Sequence, residues 1–573
     1  MINQPLASAF ERLADLMEIG AESGFRVNAY RRVARFLDAY TEDIAVAAAE
    51  KRLTDLPGIG QATAQKIQEF IKTGKISLIE QWEAKFPPGL PDLLKIQGLG
   101  PKKLAAMYEK LGVGGVDDLR RVIASGALAK LPGFGAQSVK RIEEGLQFRE
   151  RSGDRTPYGL ALPIAESMAD VIRRIPAVKR VEIAGSLRRG AETIGDVDLL
   201  CESRDGPAVV KAFVEHDGVK RVLASGDTKG SITIETEPGR ELQIDLRVVP
   251  ADSFGAAWQY FTGSKEHNVR LRERAVKKKW RLNEYGLFDG EKQIAGKTEE
   301  SIYKKLGVPC VPPEIREDAG EFDLGEPPEL IAVKHLRGDL HTHTTASDGK
   351  NTIDEMAAAA KHAGYDYFAV TDHSRSSAIA NGLSIERMTR HIDDIRAAEK
   401  RTKGIAILVG CECDILSDGS LDYPDEILAA CDLVVASVHS AQRGGKASPT
   451  QRTIKAMQNP YVTFIGHPTG RLLGKRPPMD IDMGELVRAA ADTGTALEIN
   501  ASWQRLDLKA EHARQAIDAG VMLVINTDSH RIASLPSIRH GVVTARRGWA
   551  TAENVLNTRT LRSLKSWIAK KRG

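Results

Sequence analysis

The sequence predicts a multidomain chain with a helical front, an α+β middle and an α/β C-terminal part built like a distorted barrel. Three observations carry this reading. Over the first 150 residues, apolar positions recur at helical spacing and only short glycine turns interrupt them. From Val181 onward short β-type runs appear, at Val181–Ala184, Asp198–Cys201, Ser231–Thr236 and Leu242–Val249, with an antiparallel-looking middle. Beyond residue 333, strands alternate with helices, the strands at Tyr367–Thr371, Ile405–Cys411, Leu433–Val438, Thr463–Gly466, Ala496–Ile499 and Met522–Asn526. That alternation is the pattern of a parallel sheet whose site lies at the strand C-termini.

The 573 residues are enough for three to five domains at roughly 100–200 residues each. We place boundaries at 1–80, 81–150, 151–250, 251–313, 314–333 and 334–573. The segment 314–333 lies in PPEIREDAGEFDLGEPPELIAV, rich in Pro, Glu and Asp, and reads as an exposed linker because such a composition buries little apolar area. A net charge of +4 says little about partners, but the charge is segregated. The run Lys265–Arg281 is basic and Glu314–Glu329 is acidic, so a basic stripe along one part is expected. Five cysteines with no Cys-x-x-Cys spacing argue against a disulfide framework and for a reducing compartment. The N-terminus reads as an amphipathic helix rather than a signal peptide, and no apolar run approaches the ~20 residues that span a bilayer. A cytoplasmic protein is expected, without a membrane partner. With no zipper or symmetric patch in the sequence, a monomer is expected.

One short pattern occurs three times, as Leu56-Pro-Gly-Ile-Gly60, Ile96-Gln-Gly-Leu-Gly100 and Leu131-Pro-Gly-Phe-Gly135. Each precedes a helix with basic residues: Lys66; Lys102 and Lys103; Lys140 and Arg141. The paired glycines Gly58 and Gly60, Gly98 and Gly100, and Gly133 and Gly135 let backbone N–H groups point outward at a helix N-terminus, where a phosphate can sit. Such contacts read no base sequence, so they suit a general grip on DNA. A single copy is equally a plain turn between helices; three copies in register favour nucleic acid. The pattern resembles the helix-hairpin-helix motif. Together with Asn28-Ala-Tyr-Arg31 and Thr73-Gly-Lys75, the first copy resembles the small N-terminal domain of family X DNA polymerases. That resemblance implies binding of a 5′-phosphate in a gap. Lys66 stands where the Schiff-base lysine of the polymerase beta branch would stand. A second family lysine is matched by Ala62, which leaves lyase activity open.

The middle region carries Gly185-Ser-Leu-Arg-Arg-Gly190, then Gly195-Asp-Val-Asp198, then Asp245. Asp196 and Asp198 alternate along a strand and so share a face, and Asp245 on a neighbouring strand can join them. Three carboxylates together repel unless a cation lies between them, which makes a site for Mg²⁺ or Mn²⁺. The set resembles the nucleotidyltransferase superfamily. Tyr260-Phe-Thr-Gly-Ser264, Asn268, Arg272 and Leu282-Asn-Glu-Tyr285 extend it to the palm and thumb of family X polymerases. The resemblance implies that Ser186, Arg189 and Gly195 hold a dNTP triphosphate. It places Tyr260 and Phe261 by the sugar and Asn268 at the nascent base pair, with Arg247 and Arg272 on DNA. Where the family often has serine before the glycine, this chain has Ile194.

The C-terminal part carries His341, His343, Asp348, His373, Glu412, His439, His467, Asp528 and His530, most of them just after a predicted strand. Two residues apart on a strand share a face, so His-x-His can chelate one ion. Any one histidine alone would pass as structural; the set would not. It resembles the PHP (polymerase and histidinol phosphatase) domain, with no ligand position empty. By that resemblance three divalent ions are held. His341, His343, Glu412 and Asp528 share one, Glu412, His439 and His467 a second, and Asp348, His373 and His530 the third. Imidazole and carboxylate ligands suit Zn²⁺, Mn²⁺ or Fe²⁺ alike. Arg443, Lys446 and Arg471 follow ligand strands and are placed to hold a substrate phosphate.

Together the resemblances imply a bacterial or archaeal family X polymerase fused to a PHP phosphoesterase. It would fill short gaps in base-excision repair on primer-template DNA and trim 3′ ends, near the nucleoid. Two alternatives stay open: a PHP phosphatase with a DNA-holding front half, and a non-catalytic scaffold for DNA ends.

Overall fold

The computed structural model describes residues 2–40, 43–96, 98–152, 155–237, 240–442 and 448–573. Arg443 and Lys446 lie outside the described residues. The chain forms two compact units, Met1–Gly153 with Gly474–Arg476, and Asp154–Leu473 with Pro477–Gly573. Among the described residues, no helix is long and apolar enough to cross a membrane.

The first unit is built from α-helices and short 3₁₀ turns, as its apolar periodicity predicts. It has two apolar cores, one drawn from Leu6 through Trp82 and the other from Ile19 and Leu90 through Leu146. The three glycine hairpins share one geometry. Ile59 N–H donates to Leu56 O, Leu99 N–H to Ile96 O and Phe134 N–H to Leu131 O, at 3.1–3.2 Å. The apolar residue between the glycines is the plug: Ile59, Leu99 and Phe134 are all buried. The first glycine of each pair, Gly58, Gly98 and Gly133, has φ of +78°, +94° and +85°, which bulkier residues resist.

In the second unit the helix Tyr158–Arg173 leads into a five-stranded sheet. Its spatial order is Val178–Ile183, Asp196–Ser203, Arg240–Val249, Lys229–Glu237, Arg221–Ser225. The expected antiparallel pairing holds except where it matters most. Asp196–Ser203 and Arg240–Val249, the strands that carry the acids, run parallel with Asp198 beside Asp245. Two helices follow, Phe254–Thr262 and Lys265–Lys277, then a small antiparallel sheet and the helix Glu299–Leu306.

Residues 314–333 match the exposed linker that their composition suggests only in part: residues 318–320 and 325–327 are exposed, but other positions are not. Ile315, Arg316, Glu321, Leu330 and Ile331 are buried. Several of the charges that made the segment look solvated find a partner. Arg316 donates to both carboxylate oxygens of Glu299, which also accepts two hydrogen bonds from Arg188. Glu321 accepts from the ring of the buried His267 at 2.7 Å. Composition counts charges but not their partners, so a strap of paired charges resembles a linker.

The C-terminal part is a seven-stranded parallel sheet in strict chain order, from Gly338–Asp339 through Tyr367–Val370, Ala406–Asp414, Leu433–Ser437, Phe464–Ile465 and Ala496–Asn500 to Leu523–Asn526. A parallel bridge between Thr342 and Ser529, with His343 N–H donating to Ser529 O at 2.9 Å, draws the first and last strands together into a barrel. Helices separate the strands, and the strands are mostly apolar because both faces are covered.

Glu299 is the buried hinge of the strap. Burial works to raise its pKa, but the Arg188 hydrogen bonds and the Arg316 charge hold it at about 2. With a folded value below the unfolded 4.5, it stabilises the fold above about pH 4.5, and that stability drains away as pH falls toward 2. The contribution is on the order of 3 kcal/mol. Denaturant unfolding of Glu299→Gln should show a loss of that size near pH 7, shrinking as wild type is acidified below pH 4. A gap that does not change with pH would contradict this account.

Candidate active sites

The first site lies on the five-stranded sheet. Along Arg240–Val249, Leu242, Ile244, Leu246 and Val248 enter the core, which leaves Gln243, Asp245 and Arg247 on the opposite face. Parallel register then puts Asp196, Asp198 and Asp245 on that same face. Asp245 is held by Ser231 Oγ–H at 2.5 Å and by the Gln243 amide at 3.0 Å. Burial first, then the Asp196 and Asp245 charges, push Asp198 up to about 7. A carboxylate that destabilised calls for a cation beside it, so the residues fit a divalent ion.

Gly185 explains how the following helix comes so close. Its φ is +65°, and a Cβ there would lie 2.2 Å from Asp198 Oδ2. The backbone of Gly185-Ser186 is therefore pressed directly against the acids. Ser186 is half-buried on the short helix Gly185–Arg188. Gly195 is exposed at the start of the acid strand, with Arg155 Nη1 3.2 Å from where a Cβ would project. Ile194 is fully buried in the core, so its side chain cannot replace the expected serine at a phosphate.

Arg189 donates to Glu317 at 3.1 Å and to Thr262 O at 2.5 Å. Tyr260 and Phe261 meet edge to face at 5.2 Å, and the Arg247 guanidinium lies 4.8 Å over the Phe261 ring. The Asn268 amide is engaged within its own subdomain, donating to Tyr260 O and accepting from Gln259. Arg272 is exposed on the helix Lys265–Lys277. In the first unit, Lys66 donates to Ala62 O at 3.1 Å and lies 5.8 Å from the Tyr30 ring. A Cβ added at Gly58, Gly60, Gly100, Gly133 or Gly135 would meet open space, so these hairpin turns face outward. Gly98 is more enclosed, with Ile142 Cγ1 at 3.5 Å.

The second site gathers every predicted ligand at one end of the barrel. Glu412 is the centre. Its Oε2 lies 3.4 Å from His341 Nε2, 3.6 Å from His343 Nε2 and 2.9 Å from His373 Nδ1. Its Oε1 lies 3.3 Å from His439 Nε2 and 3.0 Å from His467 Nε2. His343 Nε2 is 3.1 Å from Asp528 Oδ1, and His530 Nε2 is 3.3 Å from Asp348 Oδ1. Three groups have ligand atoms close enough to share an ion: His343, Asp348, His373 and His530; His341, His343 and Asp528; and His373, Glu412 and His439. His343 and His373 each belong to two groups, whereas the expected sets shared only Glu412. His341 Nε2, His343 Nε2, His373 Nδ1 and Glu412 Oε2 are buried without a hydrogen bond, which is what metal ligands require. His467 and Asp528 hold positive φ of 29° and 54°, strain of the kind stored at functional sites.

Sequence reading missed the residues that orient these ligands. Glu498 accepts from His341 Nδ1 at 2.8 Å and from the His467 backbone N–H at 2.7 Å. Asp414 accepts from His439 Nδ1 at 2.5 Å. Each carboxylate fixes a tautomer whose Nε2 faces the site. Their signal was present: Glu498 interrupts the buried apolar strand Ala496–Asn500, and Asp414 shares a strand face with Glu412. Arg471 does not face the ligands as a phosphate holder. It is buried and donates to both carboxylate oxygens of Glu192, beside the acid strand, and to Leu506 O.

Over 572 residues the chain is 38% identical to the DNA polymerase/3′-5′ exonuclease PolX of Bacillus subtilis, covering 99% of each. This chain belongs to the family X DNA polymerases that carry a C-terminal PHP domain. The family matches agree along the chain. A helix-hairpin-helix domain matches 1–76, a SAM-like helix-hairpin-helix tandem 90–147, a DNA polymerase beta thumb 257–317 and a PHP domain 339–502. A probable phosphatase of Acetivibrio thermocellus is 34% identical over 202 residues, 34% of this chain and 78% of the relative. A further probable phosphatase, from a Thermoanaerobacter species, is 29% identical over 231 residues, 38% of this chain and 89% of the relative.

Two outcomes follow from this geometry. Gly185→Ala should cost about 100-fold in primer extension, because a misplaced acid disrupts alignment, while the PHP part is untouched. Gap-filling assays read this directly. Adding Mn²⁺ to metal-stripped protein should raise Tm by mass action. A variant with His341→Ala and His343→Ala should lose most of that rise in a thermal melt.

Proposed function

We propose that this family X member is a DNA-directed DNA polymerase that fills short gaps during DNA repair, and that its PHP part is a 3′→5′ exonuclease and DNA-end phosphoesterase. The observation that carries the reading is the parallel register of Asp198 and Asp245, with Asp196 on the same face beside Gly185 and Ser186. The whole-length likeness to a relative named for both activities supports it.

In the polymerase site Asp196, Asp198 and Asp245 hold Mg²⁺ or Mn²⁺. Ser231 and Gln243 keep Asp245 turned toward its neighbours. Ser186, Arg189 and Gly195 receive the triphosphate of a dNTP. Tyr260, Phe261 and Asn268 border its sugar and base. The hairpin glycines, with Lys66, Arg247 and Arg272, hold gapped or primer-template DNA bearing a 5′-phosphate, mostly through contacts that ignore base sequence. In the PHP site up to three ions of Zn²⁺, Mn²⁺ or Fe²⁺ are held by the gathered ligands. Bound there, such ions supply Lewis acidity at a phosphoryl oxygen and activate the attacking nucleophile. The protein's own part is to hold protons at His341 Nδ1 and His439 Nδ1 on Glu498 and Asp414. The protein acts as a monomer in the bacterial cytoplasm, at the nucleoid.

A second reading rests on the likeness to probable phosphatases over a third of the chain. In it, the PHP part acts on small phosphoesters and the polymerase part is weak. The test is a labelled primer on gapped DNA with a 5′-phosphate, in Mg²⁺ or Mn²⁺, with and without dNTPs. Asp245→Ala should abolish extension and keep primer shortening. His341→Ala with His343→Ala should do the reverse. Wild-type protein that extends no gap would sink the polymerase reading and leave the phosphatase one standing.

A further inference from the structure

Two adjacent arginines follow Gly185 and Ser186, and each shares a carboxylate with another arginine. Arg188 shares Glu299 with Arg316, within the polymerase part. Arg189 shares Glu317 with Arg547, and Arg547 comes from the PHP part, on the helix Ile538–Arg547. Arg547 Nη1 donates to Glu317 Oε1 at 2.9 Å and to the backbone oxygen of Arg189 at 2.7 Å. The same Oε1 accepts from Arg189 Nε at 3.1 Å. The approach is close: a Cβ on Gly190 would lie 2.1 Å from Val543 on that helix. Arg189 and Arg547 are each only 16% exposed, so the node is poorly screened by solvent.

We propose that Arg547 is a positioning residue for the polymerase site, contributed by the PHP domain. The proposal rests on the reading that Arg189 meets the dNTP triphosphate. With Glu317 and Arg189 alone, the pair is neutral and the guanidinium is committed to the carboxylate. A second guanidinium leaves the node with one net positive charge and gives Glu317 a partner when Arg189 turns to phosphate. Without Arg547, freeing Arg189 would strand a half-buried carboxylate, and that cost would appear as weaker nucleotide binding. The hydrogen bond to Arg189 O also anchors the end of the Gly185–Arg188 helix, so the nucleotide site is partly built by the domain that carries the other activity.

The test uses the full chain in single-nucleotide gap filling, with KM and kcat measured for the dNTP. Primer shortening without dNTPs is the control. Arg547→Ala should raise KM about tenfold, the loss of one charge-assisted contact, with kcat and primer shortening close to wild type. Arg547→Lys, which keeps the charge but not the fork, should recover part of the loss. Adding Glu317→Gln to Arg547→Ala should recover much of the KM loss, because no carboxylate then holds Arg189, although the contact to Arg189 O stays lost. A domain loosened by the lost arginine would not be repaired by removing a second partner. Unchanged KM in Arg547→Ala, or a double variant worse than the single one, would overturn the proposal. Arg189→Ala separates the two layers. If it raises KM while Arg547→Ala does not, the triphosphate reading survives and this proposal fails. If it leaves KM unchanged, the triphosphate reading itself is wrong.

Discussion

Arg188 and Arg189 are neighbours in the chain, yet their side chains serve different carboxylates. Arg188 stacks 3.4 Å from the centre of the Trp258 ring and donates to the buried Glu299. Glu299 also takes Arg316 from the strap. The strap, the helix Glu299–Leu306 and the Gly185–Arg188 helix thereby converge on one carboxylate. A charge buried that deeply needs a partner, and here two arginines share it, each from a different element. Removing either leaves Glu299 paired with the other but releases one element, so the two together hold the three elements in one relation. The acids of the sheet, pressed against Gly185, inherit that relation.

The PHP part solves a related problem by other means. Its candidate ligands crowd around Glu412 at the strand C-termini of a closing barrel, where successive strands each deliver one or two side chains. Burial works to raise Glu412, but the imidazoles of His439, His373 and His341 hold its pKa well below the ordinary carboxylate range. Carboxylates behind the histidines then set which ring nitrogen faces inward. In both sites, side chains outside the candidate ligand set hold candidate ligands in place: Ser231 and Gln243 on Asp245, Glu498 and Asp414 on His341 and His439. At Arg471 and Glu192 the two kinds of site are tied, because the loop that follows His467 is anchored beside the loop that leads to Asp196.

Much of this was legible in the sequence because it is local. Hairpin glycines, the Asp-x-Asp alternation and histidines after strands are patterns of spacing, and spacing survives folding. The parallel pairing of the acid strands was not legible, since their crossover runs through a helix and two further strands and leaves no local mark. The strap was misread because composition cannot reveal that Arg316 finds Glu299 or that Glu321 finds His267. Arg471 was misread for the same reason: its partner, Glu192, is 279 residues away. Glu498 and Asp414 were overlooked although each sits in an apolar run where a carboxylate has no cheap reason to be.

Whether the two clusters are separate cation sites serving phosphoryl chemistry is decided by anomalous scattering from crystals grown with gapped DNA, a non-hydrolysable dNTP and Mn²⁺. Peaks are expected among Asp196, Asp198 and Asp245, and separately around Glu412 within reach of His341, His373 and His439. Density for DNA and nucleotide with no peak among the three aspartates would overturn the polymerase site, and a PHP cluster that stays free of metal at saturating Mn²⁺ would overturn the other.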